Sequence, residues 1–311
     1  MVLKQVLEVS DLIDDGYVTG MKVKKVFEKY SKVSVSVQTV TGEKGHTDFI
    51  KIVIPGKNGK TNQGSAPTLG IVGRLGGIGA RPKKIGMVSD GDGAVAALSA
   101  AYKLADMQTK MDELPGDVIV TTHICPNAPT QSHQPVDFMD SPVTIMQMNQ
   151  YEVTDEMDAV LSIDTTKGNK IVNHKGISIS PTVKEGYILK VSSELVNLME
   201  TVTGDLANTF PITIQDITPY GNGVYHLNSI LQPAVATDAP VVGVAITTIS
   251  AVPGSASGSN HEGDIALAAQ FAIEVAKQFT SNELNFYEND EYNKLVELYG
   301  SLKNFQTLGS D

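Results

Sequence analysis

The chain has 311 residues, of which 41% are hydrophobic and 19% are charged, as in ordinary folded proteins. Its 24 basic and 35 acidic residues give a formal net charge of −11 without a basic stripe, which argues against a nucleic-acid partner. A single cysteine, Cys125, excludes an internal disulfide and fits a reducing compartment. Neither a signal peptide nor a run of about 18 apolar residues is present, so we expect no membrane association and a cytoplasmic location.

The predicted elements begin with helical periodicity in the first 30 residues, followed by alternating apolar residues at 33–37 and 49–54 that predict a hairpin at a sheet edge. Buried strands are then predicted at 68–73, 118–122, 159–163 and 241–249. Amphipathic helices are predicted at 94–105, 193–206, 265–279 and 291–302. This alternation favours an α/β fold with a mixed, mostly parallel central sheet and helices on both faces. No linker or repeat divides the sequence, so residues 1–311 are predicted to form one domain.

Two aspartates stand where buried strands or their turns end. Asp90 lies in the turn Val88-Ser89-Asp90-Gly91-Asp92-Gly93, directly before the helix at 94–105. It could cap that helix, or its carboxylate could bind a cation. Asp164 closes the strand at 159–163. It is either an exposed turn residue or a buried acid that needs a partner, because an unpaired buried acid costs several kcal/mol.

Histidines occupy two loops that follow predicted strands. His261 lies in Asn260-His261-Glu262-Gly263-Asp264, after the strand at 241–249. His123 precedes Cys125, and His133 follows ten residues later. Imidazole and thiolate are common zinc ligands, but this spacing fits no structural zinc motif. We therefore keep His123 as a candidate base or ligand, since imidazole titrates near neutral pH, and expect neither Cys125 nor His133 to be a ligand.

The motifs of other enzyme classes are missing from the sequence. There is no Walker phosphate loop, and the glycine spacing of a nucleophile elbow at Gly254 and Gly258 has Ala256 at its centre. A serine hydrolase and a nucleotide-dependent enzyme are therefore not expected.

Asp90, Asp164 and His261, in this order and at strand ends, resemble the di-zinc aminopeptidase and carboxypeptidase superfamily. The resemblance covers most of the chain, including the opening helix, the hairpin and the closing segment around His261. It implies a zinc-aminopeptidase-like fold of the phosphorylase/hydrolase type. It also implies that Asp90 bridges two metal ions, that Asp164 binds one of them and that His261 binds the other.

Two family motifs are replaced in this sequence. Where the family has a His-x-Asp pair after the strand at 68–73, the chain reads Arg74-Leu75-Gly76-Gly77, and a guanidinium cannot bind zinc. The family's Glu-Glu pair after the strand at 118–122 is absent. We therefore expect a divergent branch, in a domain-of-unknown-function family, that keeps one divalent metal: zinc, with manganese or cobalt as alternatives.

Two functions follow from this interpretation. The first is a metal-dependent hydrolase of a small amide, such as a short peptide, a lactam or an acylated amino acid. In it Arg74 would bind a substrate carboxylate, Asn222 would stabilise the developing oxyanion, and His123 would act as a base. The alternative is a non-catalytic small-molecule-binding homologue or a non-catalytic subunit. The resemblance also suggests a homo- or hetero-oligomer.

Overall fold

The computed structural model describes residues 2–77, 86–252 and 254–309. Its helices are α1 (Leu3–Ile13), α2 (Gly20–Phe27), α3 (Asp92–Gln108), α4 (Ile145–Glu152), α5 (Ser193–Thr203), α6 (Glu262–Thr280) and α7 (Asn289–Tyr299). Its strands are β1 (Ser34–Gly42), β2 (Gly45–Ile54), β3 (Leu69–Gly73), β4 (Val118–Ile124), β5 (Thr130–Gln131), β6 (Phe138–Met139), β7 (Ala159–Thr165), β8 (Gly176–Ile179), β9 (Val183–Lys184), β10 (Tyr187–Ile188) and β11 (Val241–Thr247). None of the helices in these ranges is long and apolar enough to cross a membrane.

The central sheet has the strand order β1-β2-β4-β3-β7-β11-β9-β10, with β8 paired to β11. Its four middle strands, β4, β3, β7 and β11, are parallel, whereas the hairpin β1-β2 at one edge and the short strands at the other are antiparallel. The parallel strands are buried along their whole length, as expected for a sheet covered on both faces.

Each face of the sheet is covered by a different set of elements. Helices α3 and α6 pack on one face over Leu69 and Ile71 of β3, and α1 and α5 extend this core by packing against α3 and α6. The opposite face carries Val72 of β3 together with Phe210 and the short 3₁₀ turns at Ile214–Ile217 and Gln232–Val235. Successive β3 side chains alternate between these two cores because strand side chains have a period of two.

The predicted fold class is confirmed, and the predicted strands and helices are present with small changes at their ends. The helix α4 was not predicted. Its sequence IMQMNQYE has only weak amphipathic character because it packs two polar residues, Asn149 and Glu152, into the interior. The edge strands β8 to β10 were also missed, since strands of two to four residues carry too little pattern to detect.

The order of the parallel strands creates a crevice at their carboxyl edge. From β3 the chain crosses to β4 on one side and then returns to β7 on the other side. Loops that leave neighbouring parallel strands in opposite directions open a crevice at this switch point, which is where open α/β sheets bind ligands. A ligand-binding site is therefore expected at the ends of β3, β4 and β7.

Candidate functional site

A cavity of about 600 Å³ lies at this carboxyl edge and contains both predicted strand-end aspartates. Asp164 enters it from the end of β7, and Asp90 enters from a 3₁₀ turn, Ser89–Gly91, that leads into α3. The loop that contains Tyr220 and Ser229 forms another wall. The sequence-based expectation that Asp90 and Asp164 share one site is consistent with this placement.

Asp164 is a buried carboxylate with one hydrogen-bond donor on each oxygen. The Thr165 backbone N–H donates to Oδ1 at 2.7 Å, and the Ser229 hydroxyl donates to Oδ2 at 3.1 Å. Burial raises the pKa of Asp164 to about 6, although these two hydrogen bonds and the nearby charge of Arg74 oppose the rise. The donors fix the orientation of the carboxylate and leave it lone pairs for a ligand.

Asp90 is half-buried, and the described residues provide no hydrogen bond to its carboxylate. Burial raises its pKa well above the usual range, and the negative charges of Asp164 and Asp92 raise it further. Asp92, two residues on, has a different surrounding: it is fully buried and accepts hydrogen bonds from Lys167 and Asn260. The first aspartate of the Asp-Gly-Asp turn therefore faces the cavity, while the second anchors the turn.

Next to Asp164, a buried ionic network occupies the ends of β3 and β4. The strand register places Arg74, which follows β3, between His123 of β4 and Asp164 of β7. The Arg74 Nε–H donates to Glu152 Oε2 at 2.9 Å, and its Nη2 donates to Asn149. Glu152 Oε1 lies 2.6 Å from Nδ1 of His123. All four side chains are buried.

The geometry of this network determines the state of His123. The Gly76 backbone N–H donates to Nε2 of His123 at 3.1 Å, so Nε2 carries the lone pair. The proton must then sit on Nδ1, which donates it to Glu152. With both ring nitrogens occupied and the ring buried, His123 is not placed to bind a metal or to act as a base.

Arg74 is likewise held inside the protein rather than at the cavity wall. Its residue exposure is 0%, and Glu152 neutralises its charge. The placement does not support the expected contact with a substrate carboxylate. Instead, the charge of Arg74 acts on Asp164, whose pKa it lowers.

Sequence reasoning missed Glu152, the residue that holds both Arg74 and His123. A signal for it was available. Thr144 and Gln147 form a reciprocal capping box at the start of α4, and the spacing Thr-x-x-Gln is a recognisable helix start. A helix placed there would have brought a buried glutamate to the strand ends.

His261 and Asn222 do not line the cavity that contains the two aspartates. His261 is the N-cap residue of α6 and lines a separate cavity with Lys175 and Ser250. Asn222 accepts a hydrogen bond from the Val224 N–H, 2.9 Å away, in an exposed turn beside the main cavity. Within residues 2–77, 86–252 and 254–309, no three His, Cys, Asp or Glu side chains form a metal-binding group.

The family of the chain is decided by a match that covers most of its length. The model of the family described as "Protein of unknown function (DUF1177)" matches residues 38–309. The chain belongs to the DUF1177 family. No curated protein matches its sequence.

Solved structures show the same fold at low sequence identity. The leucine aminopeptidase LAP1 of Caenorhabditis elegans has a TM-score of 0.55 and 12% identity, over 89% of this chain and 66% of that one. The bottromycin maturation enzyme BotP, solved in complex with Mn, has a TM-score of 0.53 and 11% identity, over 88% and 71%. The cytosol aminopeptidase of Coxiella burnetii has a TM-score of 0.52 and 14% identity, over 89% and 68%. The DUF1177 chain thus has an aminopeptidase-like fold and spans about two thirds of these chains.

Proposed function

We propose that this DUF1177 protein is a divalent-cation-dependent hydrolase of a small amide, with its site in the cavity that contains Asp90 and Asp164. The observation that carries the proposal is the pair of desolvated carboxylates in one cavity, with pKa values raised by burial and, for Asp90, by the charge of Asp164. A bound cation would relieve both effects. The aminopeptidase-like fold and the manganese complex of BotP support the same class.

The available donor atoms favour a hard cation. Besides the carboxylates of Asp90 and Asp164, the cavity wall offers two further oxygen atoms as cation ligands, in the Ser229 hydroxyl and the Asn228 amide. The described lining has no imidazole or thiolate. Oxygen-only sites suit Mn²⁺ or Mg²⁺ better than Zn²⁺. We therefore propose manganese or magnesium in place of the zinc expected from sequence, with Asp90 and Asp164 as the residues that hold it.

A bound cation would polarise the amide carbonyl and lower the pKa of a water molecule. The protein's own contribution is orientation. Thr165 and Ser229 hold Asp164 through hydrogen bonds, and Arg74, which is paired with Glu152, lowers the pKa of Asp164 and so favours the ionised carboxylate. Because Arg74 is itself held by Glu152, this arrangement exists before a ligand binds, which is the condition for efficient electrostatic stabilisation.

Calorimetric titration with Mn²⁺ tests the cation site. Asp90→Asn and Asp164→Asn should each weaken binding by at least about 10-fold, since even the outer-shell partners of metal ligands contribute 10- to 100-fold. Asp205→Asn, an equal change of charge at an exposed position, should leave the affinity unchanged. His261→Ala should also leave it unchanged, and loss of the metal in that variant would contradict the assignment to this cavity.

The second candidate is a ligand-binding protein without catalytic activity, and the occupied state of His123 favours it. The carboxylates in the described lining are Asp90, Asp164 and Asp216. Asp90 and Asp164 are the proposed cation ligands, so few groups are left that could act as a general base on water. Incubation of the Mn²⁺-loaded protein with a panel of amino-acid amides and dipeptides separates the two functions. Release of ammonia from the amino-acid amides, or of free amino acids from the dipeptides, that disappears in Asp164→Asn supports the hydrolase, whereas binding without hydrolysis supports the binding protein.

A further inference from the structure

A third carboxylate, Asp216, lines the same cavity, and one of its oxygens has no partner among the described residues. Asp216 belongs to the 3₁₀ turn Ile214–Ile217 and is 3% exposed. Its Oδ2 accepts hydrogen bonds from the Thr213 N–H at 2.7 Å and the Thr213 hydroxyl at 3.0 Å. Its Oδ1 is buried and has no hydrogen-bond partner among the described residues, and no described Lys, Arg or His forms an ion pair with it. A buried charged oxygen left unpaired destabilises the folded protein, so this position is better satisfied when a donor binds.

The charge of the cavity wall determines which ligand group could donate a hydrogen bond to Asp216. Asp90, Asp164 and Asp216 are the only charged side chains in the described lining, so the charge of Asp216 remains once a cation occupies Asp90 and Asp164. Where water is partly excluded, such a wall attracts cations and repels anions. A cationic ligand group fits this lining better than the substrate carboxylate that was expected to bind Arg74.

Two tyrosines line the same cavity as Asp216. Tyr220 stacks on His226, with ring centroids 4.0 Å apart and an interplanar angle of 15°. Burial and the charges of Asp164 and Asp216 raise its pKa to about 12, so its hydroxyl stays neutral. Tyr225 lines the mouth and is 83% exposed. Tyrosine rings next to a carboxylate favour organic cations through cation–π attraction, which a metal ion with a tight hydration shell would not use.

We propose that Asp216, together with Tyr220 and Tyr225, forms a subsite for an ammonium or guanidinium group on the substrate. The preferred substrates would then be amides that carry a basic side chain. This specificity rests on the proposed hydrolase function, because Asp90 and Asp164 would act on the amide while Asp216 binds the distant cation. Binding of the cation by Asp216, Tyr220 and Tyr225 does not itself require hydrolysis of the amide.

Lysine amide and norleucine amide form a matched pair of probes, since the lysine side chain ends in an ammonium group and norleucine lacks it. Calorimetry with the Mn²⁺-loaded protein should give at least about 10-fold tighter binding of lysine amide, the factor expected for a hydrogen bond to a charged group. Asp216→Asn should remove this preference, because the amide oxygen still accepts from Thr213 but the charge is gone. Asp205→Asn should keep it. Tyr225→Ala, at an exposed position that folding tolerates, should weaken lysine amide by about 2- to 5-fold.

Several outcomes would overturn the subsite. The subsite is rejected if the unmodified protein binds the two amides with equal affinity. It is also rejected if the unmodified protein binds neither amide. A lysine preference that persists in Asp216→Asn would reduce Asp216 to a residue that only caps its turn. Failure of the hydrolase proposal looks different: lysine amide would bind in an Asp216-dependent manner without being hydrolysed. Equal hydrolysis of both amides would instead support the hydrolase and reject the subsite.

Discussion

At the scale of single residues, Glu152 holds the candidate site together, because its two oxygens bind Arg74 and His123 at once. We predict that Glu152→Gln lowers the free energy of unfolding by about 3–5 kcal/mol, since it leaves the guanidinium of Arg74 buried without a counter-charge. Urea denaturation followed by circular dichroism measures this change. Cation binding by Asp164 should weaken as well, because an unpaired Arg74 would repel a cation more strongly.

A surface ion pair close by provides the control for Glu152. Glu156 binds Lys51 at 2.5 Å on the exterior, so Glu156→Gln should change stability by no more than about 1 kcal/mol. If both variants have the same small effect, the Arg74–Glu152 pair does not stabilise the strand ends as proposed.

At the scale of elements, the first turn of α3 determines how Asp90 meets Asp164. Gly93, the second residue of α3, packs against the strand ends so closely that a Cβ there would lie 1.9 Å from the Arg74 carbonyl oxygen and 2.4 Å from that of Ile163. We predict that Gly93→Ala destabilises the protein by about 1–3 kcal/mol, as overpacking does, and moves α3 away from β7. Weaker Mn²⁺ binding should accompany the loss of stability.

Gly263 is the matched control, because it is the second residue of α6 and a Cβ there would meet nothing within 4 Å. Gly263→Ala should be neutral or stabilising by up to about 1 kcal/mol, since alanine favours helix. Thermal denaturation of both variants measures the difference. A Gly93→Ala protein as stable as Gly263→Ala would contradict the close approach of α3 to the strand ends.

At the scale of the whole molecule, one apolar core connects α1, α3, α5 and α6 to the same sheet. We therefore predict a single calorimetric unfolding transition, with equal calorimetric and van't Hoff enthalpies, as the single-domain interpretation of residues 1–311 requires. Two resolved transitions would show that the chain divides into independent units.

The same scan tests the cation proposal through the stability of the whole fold. Mn²⁺ at 100 times its dissociation constant should stabilise the native state by about 2.7 kcal/mol if it binds only the folded protein. The transition temperature should therefore rise with Mn²⁺ in the unmodified protein but not in Asp164→Asn. An equal rise in both would place the cation outside the cavity.

Much of the fold could be predicted because hydrophobic periodicity is local. Apolar runs such as residues 241–249 predicted the buried strands, and the alternation of these strands with helices predicted the parallel sheet. Parallel strands present their carboxyl ends at one edge, so Asp164 and the Asp90 turn could be expected to converge. The helix α4 escaped detection because its buried face carries Asn149 and Glu152, which a search for apolar periodicity counts as exposed.

The sequence by itself determined the fold class, the position of Asp164 at the end of β7, and the position of Asp90 in the turn before α3. Only the tertiary structure decided which side chains meet. His261 follows β11 by 14 residues, and a loop of that length does not fix where its end lies. The residue occupies the N-cap position of α6, without a capping hydrogen bond from its side chain, and lines another cavity. Arg74 and His123 were expected to face the substrate, but both are paired with Glu152 of α4 inside the protein. Burial makes such charge pairing obligatory, and which charges become partners depends on packing between elements distant in sequence.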